Sequence, residues 1–144
     1  MTDVYLGLGS NLGDRRANLR RAVTLIGERV GRVTALSSFY ETAPWGFASD
    51  NAFLNACLLV QTDYSPMEVL RITQRIERDM GRLCKSCGVY ADRIIDIDIL
   101  LFGDLVISTD VLTVPHPLMA QRDFVMRPLR EIGGVVASDE HNAK

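Results

Sequence analysis

The sequence predicts an α+β fold, a sheet covered by helices, and three observations carry that reading. Several short apolar stretches have strand length or two-residue alternation. Two segments with apolar residues at helical spacing lie between them. The resulting order, β-α-β-β-α-β-β followed by short helices, suits a sheet with helices packed on it. A chain of 144 residues that is 47% hydrophobic and 24% charged, with net charge −2, is expected to make one soluble domain with a real core. The charge balance argues against a dedicated nucleic-acid binder. No apolar run approaches a membrane span, and Met1-Thr2-Asp3 does not open a signal peptide. Three cysteines, an odd count, fit a reducing compartment, so the cytoplasm is expected.

Taken in order, Val4-Tyr5-Leu6-Gly7-Leu8-Gly9 reads as a buried strand that breaks into a turn at its glycine. The loop from Ser10 to Asp14 leads into a helix whose Leu19, Ala22, Val23 and Ile26 form a stripe, leaving Arg15, Arg16, Arg20 and Arg21 largely on a solvated face. The glycines here match neither a Walker loop, since no lysine follows Gly13, nor a dinucleotide fingerprint, since Leu12 stands where a glycine is needed. Val33 to Glu41 reads as a second strand and Phe53 to Gln61 as a third. In the third, Leu54, Ala56, Leu58 and Val60 share one face, which leaves Phe53 and Asn55 on the other. An aromatic beside an amide suits a flat heterocycle, or equally a core ring and a strand-edge asparagine. Ser65-Pro66-Met67-Glu68 is a helix start: a serine cap, proline in the first helical position and a capping-box glutamate. Leu70, Thr73, Ile76 and Met80 point inward, Gln74 and Glu77 share a face, and Gly81 ends the helix. The polar segment from Arg82 to Asp92 has little to bury, and Cys84 and Cys87 within it lack a second pair for zinc. After Phe102, Gly103-Asp104 turns the chain into Leu105-Val106-Ile107. Two prolines then hold His116 between them, close in sequence to Arg122. Asp123 is placed to cap a short helix from Phe124, with Pro128 as a break or restart, and residues 135–144 read as a tail.

The stretch from Arg93 to Phe102 is apolar enough for a central strand, yet Asp96 and Asp98 interrupt it, and aspartate is depleted in strands. Alternation puts Ile95, Ile97 and Ile99 on one face and both aspartates on the other, with their Cα atoms about 6.6 Å apart. Such carboxylates suit a hard cation such as Mg²⁺; a solvated face or an ion pair with Arg93 would also account for them.

From about residue 4 to residue 132 the chain resembles the 6-hydroxymethyl-7,8-dihydropterin pyrophosphokinase family of folate biosynthesis. The matching stretches are Gly9-Ser10-Asn11-Leu12-Gly13, Tyr40-Glu41-Thr42-Ala43-Pro44, Phe53-Leu54-Asn55-Ala56 and Gln74-Arg75-Ile76-Glu77. Gly81-Arg82, Arg93 to Leu100, and Pro115-His116-Pro117 with Arg122 and Phe124 complete the match. The resemblance implies a ferredoxin-like antiparallel sheet and transfer of the β,γ-diphosphate of ATP to the pterin hydroxymethyl group, releasing AMP. It implies that Asp96 and Asp98 hold two Mg²⁺ ions, that Gln74, Glu77, Ile99, Thr113, His116 and Arg122 contact ATP, and that Arg82 and Arg93 are catalytic cations. The pterin would stack between Phe53 and Phe124, with Asn55 on its edge and Thr42, Ala43, Pro44, Trp45 and Gly46 beside it. Where many relatives carry Arg-Trp-Gly-Pro-Arg, this chain has Val89-Tyr90-Ala91-Asp92-Arg93, so Tyr90 takes the place of the tryptophan. The expected partners are ATP and the pterin alone, with no nucleic acid or membrane, and the expected state is a monomer. A two-metal phosphoesterase or nuclease would need more ligands than Glu77 adds, and an RNA-binding sheet would want a basic aromatic face.

Overall fold

The computed structural model describes residues 1–42, 52–81, 94–117 and 119–133. Its main sheet contains β1 (Thr2–Ser10), β2 (Arg32–Leu36), β3 (Tyr40–Thr42), β4 (Phe53–Thr62) and β5 (Asp96–Phe102). The strand order is β2-β4-β1-β5, with β3 pairing β4 as well, and every pairing is antiparallel. Helix α1 (Arg15–Arg29) connects β1 to β2, and α2 (Pro66–Asp79) connects β4 to β5. Each connection passes over a strand inserted between the two it joins, which is the split βαβ arrangement of ferredoxin-like folds. Strands β6 (Ile107–Ser108) and β7 (Thr113–Val114) pair separately, and a 3₁₀ turn (Met119–Gln121) leads into α3 (Asp123–Glu131). No helix among the described residues is long and apolar enough to cross a membrane.

The sheet is covered on both faces. Val4, Leu6 and Leu8 of β1, Leu54, Ala56, Leu58 and Val60 of β4, and Ile97 and Ile99 of β5 bury one face together with Leu19, Ala22 and Ile26 of α1 and Val69 and Ile76 of α2. On the other face Cys57 and Leu100 pack with Met119, Val125, Met126 and Leu129 around α3. The caps follow from sequence. Asp14 accepts from the Ala17 N–H at 3.1 Å, and Ser65 and Glu68 complete the capping box at 3.2 and 2.9 Å.

Several expectations need correction. Gly9 does not break β1, which continues through Ser10. The strand expected from Val33 to Glu41 is two strands. Between them the Ser37 N–H donates to the Cys57 carbonyl while the Ser37 hydroxyl accepts from the Cys57 N–H, both at 2.9 Å. Leu105 and Val106 are exposed and outside any strand; β6 begins at Ile107 and pairs β7 instead of folding back on β5. Arg122 is the N-cap of α3, one residue before the expected Asp123. Pro128 does not break α3, which continues to Glu131: the buried ring joins Val125, Met126 and Leu129 on the helix's packed side, and that packing offsets the intrahelical bond its missing N–H forgoes.

Candidate active site

The sheet register assembles the site. Gly9 of β1 is paired with Asn55 on one side and Asp96 on the other, and Gly7 likewise with Cys57 and Asp98. Asn55 and Asp96 are therefore two strand spacings apart, about 10 Å, with a residue lacking a side chain between them. Both aspartates are half-buried, on the face opposite the Ile97 and Ile99 side chains, as alternation requires. Cys57 lies under the same face. Burial, and then the charge of Asp98, push its thiol up to about 12.

β5 is shaped for this display by two contacts. Tyr5 pairs with Leu101 and Leu6 with Ile99, so Leu100 is the extra residue of a bulge and turns to the α3 side. The carbonyl of Leu100 accepts from the His116 N–H at 3.0 Å, which brings the Pro115–Pro117 turn against the strand. Glu77 of α2, only 3% exposed, accepts from the Ile97 N–H at 2.8 Å, so a carboxylate holds the backbone between the two aspartates. The side chain of Ile99 is in the core, which leaves its backbone for any ligand. Gln74 and Thr113 are half-buried. Burial first, and then the Arg122 charge, lower the pKa of His116 and favour its neutral form, against an opposing pull from Asp96. Histidine, arginine and aspartate thus converge on one place.

The opposite half is built from β3, β4 and α3. The Asn55 amide is buried and donates to the Thr42 hydroxyl at 2.7 Å. A Cβ on Gly9 would lie 3.0 Å from Asn55 Oδ1 and 3.5 Å from the Phe53 ring, so Phe53 and Asn55 do share the face opposite Leu54 and Ala56. Phe124, at the start of α3, is half-buried on that face with the Arg122 guanidinium 5.7 Å from its ring centre. Ala43, Pro44, Trp45 and Gly46, and likewise Arg82, Cys84, Cys87, Tyr90 and Arg93, lie outside the described residues. Glu131 holds α3 down by accepting from the Ser38 N–H and hydroxyl at 2.9 and 2.8 Å and from the Tyr40 hydroxyl.

Two contributions were not visible in the sequence. Gly7 and Gly9 belong to the site face, whereas strand-end glycines look alike whether they turn a chain or clear a surface. Arg15 donates to Glu41 at 2.6 Å and to the Ala52 carbonyl at 2.9 Å, so it ties the two chain positions that flank residues 43–51. Arg16, read as solvated, is exposed, with its guanidinium 5.3 Å from the Phe39 ring centre.

Asp96 and Asp98 fit a hard cation. Both offer oxygen donors, neither is sealed in the core, and each is paired with a glycine of β1 and so has no directly opposite side chain there. Among the described residues no group of three or more His, Cys, Asp or Glu gathers to hold a metal, so the two carboxylates would share the ion with ligand oxygens and water.

Comparison with known proteins agrees with these features. Residues 5–134 match the model of the family described as 7,8-dihydro-6-hydroxymethylpterin-pyrophosphokinase. A 2-amino-4-hydroxy-6-hydroxymethyldihydropteridine pyrophosphokinase of Porphyromonas gingivalis is 52% identical over 134 residues, covering 92% of this chain and 91% of that one. The Bacillus subtilis protein of the same name is 42% identical over 141 residues, covering 97% and 83%. Among solved structures, a Plasmodium falciparum HPPK-DHPS triple mutant superposes with a TM-score of 0.73 at 17% identity. That likeness covers 91% of this chain but 39% of the longer one, and bears on the fold.

Proposed function

The chain belongs to the 7,8-dihydro-6-hydroxymethylpterin-pyrophosphokinase family, and from that premise we propose how its geometry serves the reaction. The hydroxymethyl oxygen of 6-hydroxymethyl-7,8-dihydropterin attacks the β-phosphorus of ATP. The bond between the α,β-bridging oxygen and the β-phosphorus breaks, and AMP leaves. One observation carries this reading: the row Asn55–Gly9–Asp96 places an amide suited to a heterocycle edge and a carboxylate suited to a phosphate-bound cation on one face, with only a glycine between them.

Phe53, Phe124, Asn55 and Thr42 would seat the pterin, with Ala43, Pro44, Trp45, Gly46 and Tyr90 as further contacts. Gln74, Thr113, His116, Arg122 and the backbone of Ile99 would hold ATP. Glu77 serves that half by fixing β5. Two Mg²⁺ ions on Asp96 and Asp98 would neutralise the triphosphate and orient it for in-line displacement. His116 offers a hydrogen-bond donor to phosphate, and Arg122 supplies the charge. Arg82 and Arg93 are proposed as the cations that meet the developing negative charge. This division of labour suits diphosphoryl transfer, where positioning and charge stabilisation matter more than covalent help. We place the enzyme in the cytoplasm as a monomer, a compartment in keeping with the free thiol of Cys57.

Phosphorus NMR of the protein with ATP, Mg²⁺ and 6-hydroxymethyl-7,8-dihydropterin tests the reading. AMP and a pterin diphosphate are expected. ADP or inorganic phosphate as the product would overturn it.

A further inference from the structure

Gly9 lies within β1, and its φ is not among the positive glycine angles of this chain, so the backbone there would accept any L-residue. Conformational freedom therefore does not explain the glycine. Space does. A Cβ at this position would stand 3.0 Å from Asn55 Oδ1, closer than ordinary van der Waals contact, and 3.5 Å from Phe53. Asn55 has little freedom to yield, because it is 5% exposed and its amide nitrogen is tied to Thr42 Oγ1 at 2.7 Å. We infer that Gly9 is a positioning residue of the pterin seat, acting through Asn55: the missing Cβ lets the amide lie against β1 with its oxygen aimed at the heterocycle edge. The inference rests on the proposed pterin role of Asn55.

Gly7 provides an internal comparison on the same strand and face. The nearest atoms to a Cβ there are those of the Leu100 side chain, at 3.4 Å and beyond, which is ordinary van der Waals contact and asks nothing to move. Equal backbone changes two residues apart should thus have unequal effects on the heterocycle. Position 9 is the sensitive one.

Calorimetry with 6-hydroxymethylpterin, and separately with a non-hydrolysable ATP analogue plus Mg²⁺, tests this on Gly9→Ala, Gly7→Ala, Asn55→Ala and Gly9→Ala/Asn55→Ala. Gly9→Ala should weaken pterin binding about tenfold or more, as crowding of a pinned group does. Nucleotide affinity should stay within about twofold, and Gly7→Ala should bind pterin within about twofold of wild type. In the Asn55→Ala background the Gly9 substitution should cost less than about twofold, because the group it displaces has gone. Wild-type pterin affinity in Gly9→Ala, or a full second loss in the double variant, overturns the inference. If Gly9→Ala fails to fold, the double variant should fold, its crowding relieved; failure of both would make Gly9 a structural residue only. A wild-type protein that bound the nucleotide analogue but no pterin would overturn the substrate reading and this inference with it.

Discussion

Asp96 and Asp98 carry two like charges on one strand face, with their Cα atoms about 6.6 Å apart, an arrangement that a bound cation would stabilise. Either Asp→Ala substitution should lower turnover on the order of 10³-fold or more, the scale of metal-assisted charge stabilisation. In Mg²⁺-free buffer the melting temperature should hold or rise. Substantial turnover in both single variants would remove the metal assignment. Cys57, below the same face, gives a pH signature. Its thiol ionises near 9 in the unfolded chain and near 12 when folded, so the native state holds the extra proton between those values. Stability should therefore fall as pH rises from about 9 toward 12, and Cys57→Ala should flatten that limb in urea titrations followed against wild type. The aspartates were legible because strand alternation alone sorts them from the isoleucines. Gly9 was not, because a glycine declares nothing until its cross-strand neighbours, Asn55 and Asp96, are known.

Helix α2 shows how much an element's sequence can carry. Its serine cap, first-turn proline and terminal glycine were readable locally, but its most consequential side chain was not. From spacing Glu77 only shares a face with Gln74, and the family resemblance makes it an ATP contact; the packing of α2 on β5 is what buries it against the Ile97 N–H. Glu77→Gln keeps an acceptor and should retain most stability. Glu77→Ala should cost roughly 1–3 kcal/mol, the penalty for an abandoned buried donor. Urea unfolding, with amide exchange at Ile97 as a local reporter, distinguishes that loss from a general loosening. The same limit explains the split between β2 and β3. Ser38 and Tyr40 answer to Glu131, more than ninety residues away in sequence, and no local pattern announces such a partner.

At the scale of the whole molecule, the residues proposed for the heterocycle come from β3, β4 and α3, while those proposed for the nucleotide come from α2, β5 and the chain that follows it. The halves should respond separately. Phe53→Ala and Asn55→Ala should each weaken pterin binding by roughly 1–3 kcal/mol and leave an ATP analogue nearly unaffected; equal losses in paired calorimetry would indicate damage to the fold. Element order was enough to read an α+β sheet covered by helices, while the antiparallel ferredoxin-like arrangement came from the family resemblance. The placement of β5 has a consequence for how copies of this protein meet. Among the described strands it is the outermost beside β1, and an apolar border strand invites another chain to pair with it. Here the Ile97 N–H is already taken by Glu77, the bulge at Leu100 breaks the ladder, and two charges project from the strand. The features that aim the carboxylates also discourage self-association. Glu77→Ala should therefore scatter light sooner than Glu77→Gln when both are concentrated and warmed, even where each remains folded.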